Sequence, residues 1–201
     1  MRTGRGPGIA LVSLAVAATP GLAHAHLVNT GFGPFYDGIG HFFATPEDLL
    51  PVLALTLWAG LRGPAFGRAV LLALPVAWLA GVAAGQAASW PLPGFLTTAA
   101  TTVALGALAA ADGPLPRGWM VAIAVLLGVA HGALNGAVLA QADLGVRGGA
   151  GIACAVFVVV SLGAGLVASL KEPWTRAAAR VAGSWIAATG LLMLGWGLRV
   201  G

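Results

Sequence analysis

Charge is what this sequence has least of. Asp, Glu, Lys and Arg make up 8% of its 201 residues, against 59% hydrophobic, where a soluble domain carries about 25% charged residues. That deficit excludes an ordinary soluble fold and indicates a membrane protein. The net charge of +4 comes from ten basic and six acidic residues. The basic ones stand singly between apolar blocks, so they form no stripe for nucleic acid. The single cysteine, Cys154, excludes an intrachain disulfide and any multi-cysteine metal knuckle, and it leaves the redox compartment open. No nucleotide-binding motif, Gly-x-Ser-x-Gly elbow, soluble domain, low-complexity linker or clear internal repeat is present.

What is present begins with Arg2 and Arg5, the apolar run "GIALVSLAVAA", Pro20-Gly21 and then "GLAHAH". This is the layout of a secretory signal with small residues at a cleavage site. Cuts after Ala23 or after Ala25 both fit, and either leaves a histidine first in the mature chain. Residues 1–25 are therefore expected to be a signal peptide, and 26–201 a single transmembrane domain.

Beyond Pro46, apolar blocks at 46–62, 66–88, 95–111, 118–141, 148–170 and 175–198 are separated by Gly, Pro and charge. Each is near or above the roughly 20 residues a membrane-crossing helix needs, the first only marginally. The expected fold is all-α: a polytopic bundle of six transmembrane helices. With the mature N-terminus exported, Arg62, Arg68, Arg117, Lys171, Arg176 and Arg180 fall on the cytoplasmic side, together with Arg2 and Arg5 of the leader, while Arg147 and Arg199 fall outside. This satisfies the positive-inside rule. It describes an integral protein of a bacterial inner membrane with both mature termini exported. Gly128, Gly132 and Gly136 form a small-residue ridge suited to close helix approach.

The same orientation gathers the intramembrane polar groups in the exported half. His131 and Asn135 lie one turn apart on one face of the fourth span; Gln86, Thr97, Thr98, Thr101, Thr102 and Cys154 lie in the outer parts of their spans. Buried polar side chains are costly in a membrane and usually face the bundle interior. On that side also sits "GPFYDGIGHFFATPEDLLP", which collects Asp37, His41, Glu47 and Asp48. Its residues 35–43 are too few to cross and suit a re-entrant or interfacial segment that could lower His41 towards His131. Imidazole, carboxylate and amide ligands together suit a borderline divalent metal such as nickel, cobalt or zinc. His26, or His24 with His26 after the earlier cut, could add a terminal amine and imidazole. The candidate metal ligands are thus His41, Asp48, His131, Asn135, Asp37, Glu47 and His26.

Each of these has a plainer reading. Thr45 suits an N-cap, Pro46 the first helical position, and Glu47 and Asp48 a first turn favoured by the helix dipole, with Asp48 also placed as a capping-box partner. Asp37 can serve its turn, His41 can be interfacial, and His24 and His26 can belong only to the cleavage region. His131 and Asn135 can make an interhelical hydrogen bond without metal. Cys154 can be a packing residue, and the threonines can bond their own helix backbone.

The histidine-ending signal, "GIGHFFATPEDLLPVLALTLWAGL" and the intramembrane "HGALNG" together resemble the HupE/UreJ family of hydrogenase and urease accessory membrane proteins, over nearly the whole mature chain. The family pattern has a histidine and then an Asp-His pair before Leu-Leu; His41 matches the first histidine, Glu47 the Asp and Asp48 the second His. His131-Gly132 matches a His-Gly pair, Asn135-Gly136 stands where a second is common, and Val138 stands where an acid is often seen. The chain resembles a divergent branch with oxygen ligands in place of two imidazoles. The resemblance implies a permease that takes up a divalent transition metal ion, nickel or cobalt, as its transported substrate, with no prosthetic group, no catalysis and no nucleic-acid partner. The alternatives are a non-transporting accessory that delivers metal within a metalloenzyme maturation system, and an intramembrane metal-dependent hydrolase. A catalytic zinc normally has three strong protein ligands, which here would require recruiting a carboxylate.

Overall fold

The computed structural model describes residues 29–87 and 94–200. The expected signal peptide, with His24 and His26, lies outside the described residues. Seven α-helices follow one another, and no strand occurs among the described residues: α1 Pro34–Ala44, α2 Pro46–Arg62, α3 Pro64–Ala87, α4 Gly94–Ala111, α5 Arg117–Gln141, α6 Gly145–Ser169 and α7 Pro173–Val200. Proline opens α1, α2, α3 and α7, where its missing N–H costs nothing. At the other end, α4 runs into Asp112, a non-glycine residue at φ 49°, a left-handed conformation that Asp tolerates better than most.

Five helices, α3 to α7, are long and apolar enough to cross a membrane. The first expected span corresponds to α2, which has 17 residues and meets α1 at a 75° bend. The crossing count is therefore five, or six where the bent pair makes one span. The re-entrant or interfacial segment expected before the first span is a three-turn helix. Thr45 sits at its junction, and here the capping expectation fails. Its side chain makes no cap bond to α2; its hydroxyl donates 2.7 Å to the His41 carbonyl. That carbonyl is one of the unpaired acceptors at the end of α1, and the one hydroxyl proton goes to it.

Without a hydrophobic drive between helices in lipid, close packing depends on small residues. The Gly128, Gly132 and Gly136 ridge of α5 does lie against backbone: a Cβ at Gly132 would strike the Trp78 carbonyl, and one at Gly136 the Val82 carbonyl. The fit is reciprocal, since a Cβ at Gly81 or Gly85 of α3 would strike the α5 backbone at Val129 and Ala133. The same device seats α1 on α6, where a Cβ at Gly38 would strike the Gly148 carbonyl and one at Gly151 the Phe35 carbonyl. Trp58, Trp78, Phe42, Leu55, Leu74 and Met120 fill the space between helices and are fully buried. Cys154 is exposed on α6, so it is not the packing residue it resembled in sequence.

One end of the bundle is basic. There Asp112 at the foot of α4 lies 3.8 Å from Arg62 of α2 and 3.6 Å from Arg176 of α7. Arg176 also donates 2.8 Å to the Leu61 carbonyl, and Arg180 donates 2.8 Å to Ala110. Asp48, third residue of α2, stands towards the opposite end.

Candidate functional site

Four helices meet at His131. Its neighbour Gly132 lets α5 press against α3 at Trp78, which brings the Trp78 and His131 rings to 5.7 Å between centroids. His131 is fully enclosed and Asn135 and Asp48 are each 3% exposed. Enclosing a carboxylate this far requires donors, and two are supplied. Asp48 Oδ1 lies 2.8 Å from His131 Nδ1, and Asp48 Oδ2 accepts from Asn135 Nδ2 at 2.8 Å. The carboxylate that resembled a capping-box partner in sequence is thus turned into the bundle.

The Asn135 amide nitrogen also donates 2.9 Å to the His131 carbonyl. Both its protons are then used on acceptors, which fixes the amide orientation. Its oxygen is left buried with no hydrogen-bond partner among the described residues. An unpaired buried acceptor costs about 1–3 kcal/mol, and this one stands on the amide that already holds the carboxylate. Trp78 Nε1 is likewise buried without a partner.

With Nδ1–H given to Asp48, His131 Nε2 faces the Thr101 hydroxyl of α4 at 2.9 Å. The same hydroxyl lies 2.8 Å from the Thr97 carbonyl and 3.0 Å from that of Thr98. One proton cannot serve all three acceptors. It goes to Nε2 when the imidazole is neutral, and to a carbonyl when Nε2 itself carries a proton and donates to Thr101. The arrangement fits both forms without moving a heavy atom.

Asp48, His131 and Asn135 are therefore brought together, as expected from the sequence. His41 is buried on α1 but is not among the groups hydrogen-bonded to those three. Glu47 is exposed. Asp37 is occupied elsewhere: its Oδ1 accepts from the Thr30 hydroxyl and the Thr30 N–H, each at 2.6 Å. Those two bonds, the hydroxyl first, hold its carboxyl below the ordinary carboxylate range. This matches its plainer reading as a residue serving its turn. His26 lies outside the described residues. No group of three or more His, Cys, Asp and Glu side chains able to hold a metal occurs among the described residues; the gathered set is one imidazole, one carboxylate and one amide.

Thr101 is the residue sequence reasoning placed nearby but credited only with bonding its own backbone. Thr98 and Thr102 do only that, donating to Phe95 and Thr98 carbonyls at 3.1 and 2.7 Å. Thr101 does it and also reaches the imidazole. Trp78 had no signal in an apolar stretch.

The profile describing the HupE / UreJ protein matches residues 14–193. A curated relative, Protein HupE of Rhizobium leguminosarum bv. viciae, is 30% identical over 186 residues, covering 90% of this chain and 95% of its own. No solved structure matches. With a profile match over most of its length and a relative aligned almost end to end, this chain belongs to the HupE/UreJ family of membrane proteins.

Proposed function

We propose that the protein is a permease that admits a divalent transition metal ion, nickel or cobalt, through the Asp48, His131 and Asn135 site. The observation that carries this reading is the unpaired Asn135 oxygen on an amide that holds a buried carboxylate. With Nδ1 turned to Asp48 and Nε2 to Thr101, an entering ion would meet the Asn135 and Asp48 oxygens first and take an imidazole nitrogen by displacing one of those bonds, giving the mixed nitrogen and oxygen set that suits borderline divalent ions. Being incomplete, it also suits an ion that must leave.

Orientation follows from charge. The basic end, with Arg62, Arg68, Arg117, Lys171, Arg176 and Arg180, is the cytoplasmic one by the positive-inside rule, so Asp48 lies towards the exported side, the side from which an uptake site would load. The exposed Glu47 adds negative charge on that side. The chain then works as a bacterial inner-membrane importer without catalysis or prosthetic group, and serves a metalloenzyme maturation system by supplying its metal.

The test is uptake of radioactive nickel and cobalt, measured separately in cells lacking other importers, for wild type and His131→Ala at matched membrane levels. Uptake that requires His131 supports the permease. Correctly inserted wild type that moves neither ion overturns it and favours a metal-delivery accessory.

A further inference from the structure

The basic end of the bundle carries a groove that the proposed metal site does not use. It has a volume of about 330 Å³ and lies between the start of α3 and the last turns of α6. Gly67, Ala164, Gly165 and Ala168 line it with small apolar surface, and Arg68 is its one charged residue. Arg68 is exposed and has no hydrogen-bond or ion-pair partner among the described residues. Arg62, Arg176 and Arg180 are instead engaged with Asp112 or helix carbonyls.

Length and polarity identify what fits. On α6 the lining runs from Val160 to Ser169, roughly 14 Å at the helical rise of 1.5 Å per residue. That is close to the roughly 15 Å of hydrocarbon in one leaflet. Its deep end, at Leu71 and Val160, is apolar apart from the Ser161 hydroxyl, while Arg68, one turn into α3, stands near the headgroup end. A bound peptide would bring a run of N–H and C=O groups, for which these walls offer little beyond the Ser161 hydroxyl, since the Ser169 hydroxyl is already given to the Leu166 carbonyl at 2.7 Å. An acyl chain makes no such demand, and an anionic phosphate answers the unpaired guanidinium.

We propose that this groove binds an anionic phospholipid of the cytoplasmic leaflet, with one acyl chain along α6 and its phosphate on Arg68. The site is independent of the metal reading and stands or falls separately from it.

The experiment is native mass spectrometry of the full detergent-purified chain, given equimolar phosphatidylglycerol and phosphatidylcholine with identical acyl chains. Wild type retains phosphatidylglycerol about fivefold over phosphatidylcholine, the size expected of one basic residue near the headgroups. Arg68→Gln brings the ratio to about one, while Arg117→Gln keeps it. A Cβ at Gly165 meets nothing within 4 Å, so Gly165→Leu fills the groove without disturbing the fold and loses both lipids at a melting temperature no lower than wild type. Equal retention of the two lipids by wild type, or undiminished selectivity in Arg68→Gln, overturns the proposal. So does a dimer that Gly165→Leu abolishes while lipid retention stays constant, because the groove would then hold a second copy.

Discussion

Asp48 and His131 are 83 residues apart in the chain and 2.8 Å apart in the structure. The carboxylate comes from the first turn of a helix and the imidazole from the middle of another. Their meeting makes the site a product of tertiary packing, and its perturbations should be read through that packing.

Thr101→Val removes the hydroxyl at constant shape and leaves His131 Nε2 without its partner. We expect a stability loss of about 1 kcal/mol and a several-fold fall in nickel or cobalt uptake, with Thr101→Ser restoring both. Melting in detergent and uptake at matched protein level check this. A Val variant that transports like wild type would show that the hydroxyl does not position the ring.

Glycine contacts should separate by location. Gly132→Ala drives a methyl group into the Trp78 carbonyl and should destabilise by about 1–3 kcal/mol, as overpacking does, while displacing His131 and lowering uptake. At Gly195 of α7 a Cβ meets nothing within 4 Å. There Gly195→Ala should instead stabilise by about 0.5–1 kcal/mol, the helix advantage of alanine. Thermal melts of the two variants beside wild type give opposite signs or refute the packing account.

Asp37 supplies a pH dependence. Its carboxyl is held below the ordinary range by Thr30, so the ionised form is favoured by folding. That stabilisation is fully present above the unfolded value of about 3.9 and is lost as pH falls through the lower folded value. Thr30→Val should therefore melt lower than wild type at pH 7, and the difference should shrink as pH drops below about 4. A gap that persists at pH 2 would mean that the contribution of Thr30 is not to the charge.

At the basic end, Asp112 combines weak ion pairing with an unusual backbone. Its partners lie at 3.6 and 3.8 Å and are partly exposed, so Asp112→Asn should cost only about 0.2–1 kcal/mol. Asp112→Val must also hold φ 49° and should cost at least about 1 kcal/mol more. Comparable melting of the two variants would place the residue's role in its charge alone.

Local features were the legible ones. The block expected at 46–62 is α2, Pro46–Arg62, because proline and arginine mark its ends in the sequence itself. The glycine ridge of α5 was visible at four-residue spacing, but its counterparts Gly81 and Gly85 were not, since nothing in the chain says that α3 is the neighbour. Asp48, His131 and Asn135 could be gathered from polarity and topology. His41 could not be positioned, because α1 is seated on α6 by Gly38, Gly148 and Gly151, a pairing between distant segments. Thr45 was placed correctly at a helix junction, yet a threonine between two helices has one proton, and only the fold decides which helix receives it.

That choice at Thr45 bears on how long an ion would stay. With the hydroxyl turned back to His41, the first turn of α2 keeps its uncapped positive end beside Asp48, where it favours the carboxylate's charge and disfavours a dication's. At about 0.3–1 kcal/mol for such a helix end, a passing ion would leave roughly two to five times sooner than from the same ligands placed away from a helix N-terminus. For an ion held at Asp48 this would lower affinity and hasten exchange, so the bend between α1 and α2 would favour passage over retention.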